Sequence, residues 1–381
     1  MNAPIRALVL IDAFRMGGAE TLLAPMFAAA GGSDIDMDVV SVSPEELNSE
    51  KTMGILSDAG VTTSSLGIRR LRDPVALPRL TKLIRRGRYD VVHAHLEMAM
   101  TLAVPAAALA RTPIVCTFHH VVLPLSGRAK WRERLAVEAA TRSYRALFVS
   151  EASRRSFQEA YRPRRMPRNW SVLHNGIDLA NFTPGPADPA VSSDLGAGAG
   201  PIVVLPAAFR GFKGIPVAIR AWPTVLQKFP DAVLVLVGGG ALESEIRNLV
   251  ADLALEGSVR FAGVRTDMPA VYRAADVVLV PSIYGENLPT VLIEASATGR
   301  PIAASRVGGI SDIVLDNTTG LLFEPGAEDG LAEAICKLLG DRELGRRLGA
   351  AARERAHSEF SATVWLERLR ALYLEAMGDR R

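Results

Sequence analysis

The chain has 381 residues, of which 49% are hydrophobic and 22% are charged. This composition excludes a disordered protein, and the length is too great for one ordinary core and about right for two. The two cysteines, Cys116 and Cys336, have no metal-type or redox-type partner nearby in the sequence. We therefore expect reduced thiols and no disulfide.

The net charge is +3, but it is distributed unevenly along the chain. Residues 128–168 alone hold 12 basic and 4 acidic side chains. The first apolar run, 7–11, is too short for a signal peptide, and the most apolar stretch, 98–110, is too short to span a bilayer. We expect a cytoplasmic protein, either soluble or peripheral on the inner face of the plasma membrane.

Strand and helix patterns alternate through the first half of the chain. The predicted strands are 7–11, 38–43, 91–95, 114–117, 146–149 and 171–174, and the predicted helices include 19–30, 76–86 and 128–141. Continuous Val/Ile/Leu runs separated by helices predict parallel strands covered on both faces.

A glycine pair, Gly17-Gly18, follows the first strand and opens a helix. Glycines allow backbone amides to approach an anion, and the helix dipole favours negative charge there. A phosphate site and a simple tight turn both fit this pattern.

Predicted strands contain or precede His93, His95 and His119. His119 follows the strand 114–117, at the end where open α/β sheets bind ligands, so we expect it to be a site residue. His93 and His95 alternate along the strand 91–95 between apolar residues. That pattern fits a buried strand end better than a metal pair.

The basic segment 128–168 begins with four cations that alternate with apolar residues. They are Arg128, Lys130, Arg132 and Arg134, interleaved with Trp131 and Leu135. Such a segment can lie on an anionic membrane surface, and a solvated basic face is the alternative. Nucleic acid is not favoured, because stacking aromatics are not interleaved with the arginines.

After a Pro/Gly/Ala-rich stretch at 183–200, read as a linker, a second strand–helix series begins. Its predicted strands are 202–205, 232–237, 259–262, 277–280, 302–304 and 320–323. The predicted helices are 215–228, 241–254, 268–274, 289–298 and 328–339, followed by a helical tail whose apolar stripe should dock onto a neighbour. We expect domains at 1–182 and 201–358, with a C-terminal helix over 359–381 packing back toward the first.

Charged residues follow the strands of the second half. Arg210 and Lys213 lie three apart beside glycines after 202–205, a placement that suits a diphosphate. Glu286 lies in the loop after 277–280, and Glu294 is eight positions further on, within a helix. Acids at such a strand end face a ligand more often than they serve structure.

Together these features resemble family-four retaining glycosyltransferases, which have the GT-B fold of two Rossmann-like domains facing across a cleft. The matching features are the Gly-Gly loop, Thr-x-His, His-Asn-Gly-Ile-Asp, Arg-x-x-Lys-Gly, the Gly238-Gly239-Gly240 run and the E-x7-E block. The sequence departs from the family pattern at two positions. Many members have an arginine where Ala208 stands, and a glycine where Asn287 stands.

The resemblance implies a role for each of these residues. Arg210 and Lys213 would hold the pyrophosphate, while Gly17 and Gly18 would border acceptor and diphosphate. Glu286, with Asn287 and Leu288, would contact the donor sugar, and Glu294 would accept hydrogen bonds from the ribose. Gly239 would lie on the base-and-ribose side, and His119 near the reaction centre.

The implied reaction moves a hexose-type sugar, with retention, from a UDP-, GDP- or ADP-sugar to a sugar, lipid-linked or small-molecule acceptor. No metal and no enzyme nucleophile would be required, because the leaving phosphate helps deprotonate the acceptor. Assembly of cell-surface polysaccharide or glycolipid is the expected setting.

Asp34-Ile-Asp36 resembles the metal-binding Asp-x-Asp of another glycosyltransferase fold, but it lies far in sequence from the diphosphate residues and fits a solvated loop.

Two other enzyme classes use doubly wound domains. An NAD-dependent oxidoreductase predicts Gly-x-Gly-x-x-Gly after a strand, but Gly238-Gly239-Gly240 is followed by Ala241-Leu242-Glu243. A sugar-nucleotide epimerase of the GT-B fold is the alternative that stays open on sequence alone.

Overall fold

The computed structural model describes residues 4–15, 34–162, 164–196, 198 and 200–378. The chain forms two compact units. The first unit combines Met1–Asp178 with Ser361–Arg381, and the second is the contiguous segment Leu179–Phe360. Each unit contains one parallel sheet with helices between successive strands, so the predicted α/β class is confirmed.

The sheet of the first unit has the strand order β3-β2-β1-β4-β5-β6-β7, with every pair parallel. Its strands are β1 (Ile5–Ile11), β2 (Ile35–Ser41), β3 (Thr63–Ser65), β4 (Val91–His95), β5 (Ile114–Phe118), β6 (Arg145–Phe148) and β7 (Trp170–Val172). Along β1, Leu8 and Leu10 belong to one apolar cluster while Val9 and Ile11 belong to another. Both faces of the sheet are therefore covered, as the unbroken apolar runs predict.

Five α-helices are described between β2 and β7 of the first unit, and several of them were not predicted from the sequence. The five are α1 (Glu50–Asp58), α2 (Ala76–Gly87), α3 (Glu97–Ala110), α4 (Gly127–Ala140) and α5 (Glu151–Tyr161). Helix α3 is apolar on nearly every side, so its sequence shows no helical period. The edge strand β3 is too short and too polar to be recognised from its sequence. Strand β2 begins three residues before its predicted start, which places Asp36 and Asp38 on the strand beside Arg6. The predicted helix 19–30 lies outside the described residues.

The second sheet has the order β10-β9-β8-β11-β12-β13, again with parallel pairs. Its strands are β8 (Ile202–Pro206), β9 (Val233–Val237), β10 (Val259–Gly263), β11 (Val277–Val280), β12 (Ile302–Ser305) and β13 (Leu321–Phe323). Its described helices are α6 (Pro189–Asp194), α7 (Ile215–Lys228), α8 (Glu243–Asp252), α9 (Met268–Ala274), α10 (Thr290–Ala297), α11 (Ile310–Ile313), α12 (Glu328–Gly340) and α13 (Arg342–Phe360). The stretch read as a linker includes α6, capped by Asp188, and belongs to this unit.

The last helix, α14 (Ala362–Gly378), packs on the sheet of the first unit. Its buried stripe of Trp365, Leu366, Leu369 and Tyr373 shares an apolar cluster with residues of β1. A Cβ on Gly176 would lie 2.7 Å from the Cα of Ala362, so the chain can approach α14 this closely only at a glycine. This contact gives the His-Asn-Gly-Ile-Asp motif a structural role.

Candidate active site

In each sheet the chain first adds strands in one direction and then returns to add the remaining strands on the other side of the first strand. In the second unit the chain runs from β8 outward through β9 and β10, then returns to β11 on the other side of β8. The first unit does the same between β1 and β4. Loops that leave the carboxyl ends of such neighbours diverge and form a crevice where ligands bind. The candidate residues of the second unit follow β8, β9 and β11.

The loop after β8 is held against the loop after β11. The backbone N–H of Ile283 donates to the carbonyl of Phe212 at 2.7 Å. Gly214 has a φ of +69°, and a Cβ there would lie 1.8 Å from the carbonyl oxygen of Pro281. Only glycine fits this left-handed position, which ends a single 3-10 turn (Gly211–Lys213) just before α7.

Lys213 and Glu286 form an ion pair at this crevice. Lys213 Nζ lies 2.6 Å from Glu286 Oε1, and the two side chains are 20% and 6% exposed. The hydroxyl of Ser282 donates to the same oxygen at 2.5 Å. Both residues were predicted from the sequence, but their contact was not. In this contact the carboxylate of Glu286 compensates the charge of Lys213.

A glycine loop after β12 fixes the backbone of Glu286. Gly309 N–H donates to the Glu286 carbonyl at 3.2 Å. At Gly308, where φ is +54°, a Cβ would lie 1.9 Å from that same carbonyl oxygen. The Gly308-Gly309 pair therefore supports the carboxylate-bearing loop through its backbone.

Glu294 lies on α10 in a half-buried position. The hydroxyl of Tyr272, a fully buried residue of α9, donates to its Oε2 at 2.8 Å. Burial raises the pKa of the Glu294 carboxyl, partly offset by hydrogen bonds from Tyr272 and Thr290. Glu294 is therefore not an ordinary exposed helix glutamate, and its partner Tyr272 was not among the residues predicted from the sequence.

The remaining predicted residues of this unit surround the same loops. Arg210 is exposed and forms no ion pair with any residue that the structure describes. Asn287 and Leu288 are half-buried in the loop after Glu286. The Gly239 carbonyl accepts a hydrogen bond from Phe209 N–H at 2.9 Å, which joins the loop after β9 to the loop after β8.

In the first unit, Asp12 follows β1 at the crevice between β1 and β4. Its two carboxylate oxygens accept hydrogen bonds from the backbone N–H groups of Met98 (3.1 Å) and Ala99 (2.6 Å) in the first turn of α3. Burial raises the pKa of Asp12, and these amides oppose that shift. Asp12 was not predicted from the sequence, although an acid at the end of an apolar strand was the feature that could have indicated it. Gly17 and Gly18 lie outside the described residues.

His119 directly follows β5 and contacts a histidine of the neighbouring strand. Its Nε2 lies 2.8 Å from Nδ1 of His95, and the two rings stack at 5.1 Å between centroids. The ring of His93 lies 4.2 Å from that of His95 and hydrogen-bonds Tyr373 and Thr117, each at 2.7 Å. Burial lowers the pKa of all three rings, to about 3 for His93. The prediction that His93 and His95 are buried strand residues is confirmed.

A second cluster in the first unit joins Glu97, His120 and Glu133. Their ligand-type atoms lie within 4.8 Å of one another, so they are the set among the described residues that could hold a metal ion. Both oxygens of the buried Glu133 already have partners, His120 Nε2 at 2.8 Å and the Tyr161 hydroxyl. Internal hydrogen bonds account for this cluster.

The structure divides the basic segment into paired and unpaired cations. Arg154 and Arg155 pair with Glu151, and Arg162 pairs with Glu138. The four cations at the start of α4 are exposed and form no ion pair within the described part of the chain. They are Arg128, Lys130, Arg132 and Arg134. Beside them Trp131 and Leu123 are 46% and 48% exposed. Among the described helices, none combines the length and apolarity needed to cross a bilayer.

Comparison with known proteins gives the family. The profile described as "Glycosyltransferase Family 4" matches residues 16–181, and "Glycosyl transferases group 1" matches residues 194–355. The chain is 31% identical over 342 residues to a D-inositol 3-phosphate glycosyltransferase of Nocardia farcinica, covering 77% of this chain and 75% of the relative. It is 29% identical over 293 residues to a phosphatidyl-myo-inositol mannosyltransferase of Mycolicibacterium smegmatis, covering 76% and 72%.

Among solved structures, Anabaena Alr3699/HepE in complex with UDP superposes with a TM-score of 0.83 at 22% identity, covering 97% of this chain and 100% of that one. The architecture is the GT-B fold. The chain belongs to glycosyltransferase family 4, and it is a glycosyltransferase that uses a nucleotide-sugar donor. The epimerase and oxidoreductase alternatives are not favoured.

Proposed function

We propose that the chain transfers a hexose-type sugar, with retention, from a UDP-, GDP- or ADP-sugar to an acceptor hydroxyl in glycolipid or polysaccharide assembly. The observation that supports this most directly is the Lys213–Glu286 pair at the crevice of the second sheet. Lys213 is a cation beside glycines at the strand end where a diphosphate would lie. Glu286 is a carboxylate held next to it.

Donor binding would exchange partners within this pair. The diphosphate would take Lys213 as its cation, with the exposed Arg210 as a second one. Glu286, released from Lys213 but still bonded to Ser282, could then accept hydrogen bonds from the sugar hydroxyls. The loop residues Asn287 and Leu288 follow directly and would line the sugar subsite.

The remaining donor contacts would be made by the other candidate residues. A carboxylate can bridge a cis-diol, so Glu294 would accept from the two ribose hydroxyls while Tyr272 orients it. Gly239 would lie on the base-and-ribose side. In the first unit, His119 would face the donor sugar, and Gly17 and Gly18 would border diphosphate and acceptor.

The chemical step would need no enzyme nucleophile. The bond from the anomeric carbon to the diphosphate oxygen breaks, and the acceptor oxygen bonds to that carbon on the same face. The acceptor proton passes to the leaving phosphate. The protein orients the reactants, and Lys213 and Arg210 stabilise the charge that develops on the diphosphate.

A panel of UDP-, GDP- and ADP-sugars tests the donor part of this proposal. We expect one base to bind by calorimetry, and the same donor to support transfer with or without a chelator of divalent metals. Product analysis should show the α or β configuration of the donor preserved. Inversion of that configuration would contradict the retaining mechanism. Loss of turnover in the chelator would contradict the expectation that no metal is required.

The exposed cations on α4 predict binding to an anionic membrane surface, where a membrane-borne acceptor would lie. Each such charge contributes about 1 kcal/mol near an anionic surface, so replacing Arg128, Lys130, Arg132 and Arg134 with glutamine should weaken vesicle binding by about a hundredfold or more. Co-sedimentation with vesicles of phosphatidylglycerol and phosphatidylcholine at low salt measures this effect.

The matched control replaces Arg154 and Arg155, which already pair with Glu151, and should bind vesicles nearly as the wild type does. Wild-type protein that fails to sediment with anionic vesicles would rule out the membrane interaction. That result would leave a soluble sugar or small-molecule acceptor as the proposal.

A further inference from the structure

Three histidines of the first unit lie side by side where β4 and β5 end. His93 and His95 are on β4, which pairs with β5 so that His95 lies opposite Thr117, and His119 follows two residues later. His93 and His95 are 1% and 4% exposed. Burying imidazoles costs solvation, and an apolar side chain would pack such a position more favourably. Packing alone does not explain their presence.

The hydrogen bond between His95 Nδ1 and His119 Nε2 links the proton positions of the two rings. Both rings are held neutral by burial, so each carries one N–H. If His95 donates from Nδ1, then His119 accepts at Nε2 and must carry its own proton on Nδ1. If His119 donates from Nε2, its Nδ1 is instead an acceptor. The tautomer of His95 thus decides whether the outer nitrogen of His119 donates or accepts.

The outer nitrogens of this pair have no hydrogen-bond partner among the described residues. They are Nδ1 of His119 and Nε2 of His95, and both are buried. A buried polar atom of this kind is normally satisfied by protein, water or ligand. The inner two nitrogens are used for the contact between the rings, so the outer Nδ1 of His119 keeps an unused hydrogen-bonding capacity.

We propose that His95 is a positioning residue that fixes the ring orientation and the tautomer of His119. The proposal rests on the proposed function, in which His119 faces the donor sugar. His95 would not contact the substrate. It would determine which hydrogen-bonding group, donor or acceptor, His119 presents to it.

The surroundings hold His95 in turn. Its ring packs at a tilt against that of His93, which is anchored at both nitrogens, by Tyr373 of α14 and by Thr117 of β5. The next residue, Leu96, has φ +69° and ψ 168°, a conformation that is unfavourable for any residue but glycine. Such strain persists only where neighbouring contacts fix the backbone, and here it lies directly between His95 and α3.

Two substitutions separate positioning from packing. The asparagine amide in His95→Asn occupies the place of Nδ1 and can keep the bond to His119. The longer glutamine in His95→Gln fills more of the cavity, but its amide occupies the place of Nε2. We expect His95→Gln to lower kcat by about tenfold, with a smaller change in KM for the donor, and His95→Asn to retain most of kcat. If His95 only fills space, the glutamine variant would be at least as active as the asparagine variant, and kcat would follow Tm.

Nitrogen NMR of histidine-labelled protein tests the tautomer directly, since the chain has six histidines and each can be assigned by substitution. In the wild type we expect His95 and His119 each to show one tautomer, with the same ring nitrogen protonated in both. In His95→Gln, the His119 ring should become a mixture of tautomers. An unchanged single tautomer for His119 in that variant would overturn the proposal.

The His119→Ala variant distinguishes this proposal from the proposed function. Wild-type turnover in His119→Ala would remove His119 from the active site. The coupling of tautomers would still be judged by the NMR result, which does not depend on activity.

Discussion

Replacing Lys213 with alanine is expected to lower kcat by about two to three orders of magnitude, the usual loss when a group that stabilises developing charge is removed. Lys213 is the cation nearest Glu286 and directly precedes the glycine that fixes its loop. Without it, charge that develops on the leaving diphosphate would be met by Arg210 alone. Steady-state kinetics with the donor identified by the panel measures the effect.

The matched control is Lys337→Ala, which removes an exposed lysine on α12 and should leave kcat unchanged. Stability must be followed as well, because Lys213→Ala leaves the buried carboxylate of Glu286 without its cation. We expect a loss of about 1–3 kcal/mol in the free energy of unfolding, most of which Glu286→Gln in the same chain should restore. Wild-type kcat in a folded Lys213→Ala enzyme would refute the diphosphate role.

Replacing Glu294 with glutamine is expected to weaken nucleotide binding by about tenfold to a hundredfold, the range for lost hydrogen bonds to a charged group. Glutamine keeps the shape of the side chain and can still accept from Tyr272. It lacks the second acceptor oxygen needed to bridge both ribose hydroxyls. Calorimetry with the nucleoside diphosphate measures the effect.

The same substitution should not destabilise the fold. Burial raises the pKa of Glu294 because the carboxylate is partly desolvated, and a neutral glutamine does not carry that desolvation cost. We therefore expect an equal or higher Tm for Glu294→Gln together with weaker nucleotide binding. Unchanged affinity for the nucleotide would remove Glu294 from the proposed ribose contact.

The raised pKa also gives the sign of two pH effects. The stability that protonated Glu294 contributes is fully present below its ordinary value of 4.5 and is lost as pH rises through the raised value. Nucleotide affinity has the opposite dependence, because the carboxylate is the form that accepts two hydroxyls. It should decline as pH falls through the raised value. Titrations of wild type and Glu294→Gln at several pH values check this, since the variant should lose that dependence.

The elements that the sequence predicted well are those with strong local patterns. Strand β1 and the six strands of the second series lie close to their predicted positions, because a run of buried apolar residues is visible without any knowledge of the fold. Helix α3 and strand β3 lacked such patterns. The first is apolar all round, and the second is the polar sequence Thr-Ser-Ser.

Contacts within the candidate site were predictable only in part. Strand order decides which strand ends are neighbours, and the one-dimensional pattern does not give that order. The contacts of Glu294 with Tyr272, and of His119 with His95, join elements 22 and 24 residues apart. The role of Asp12 in capping α3 spans 87 residues. In each case the residue type was a visible clue, and the partner became known only from the fold.

The approach of α14 to Gly176 means that the second unit is inserted into the first along the polypeptide. During translation the segment up to Asp178 leaves the ribosome early, but Trp365, Leu369 and Tyr373 follow only after the whole second unit. Until then the apolar cluster on that face of β1 lacks the residues that α14 contributes. Nascent chains halted before residue 361 should bind chaperones through that face, and release should coincide with synthesis of the final helix.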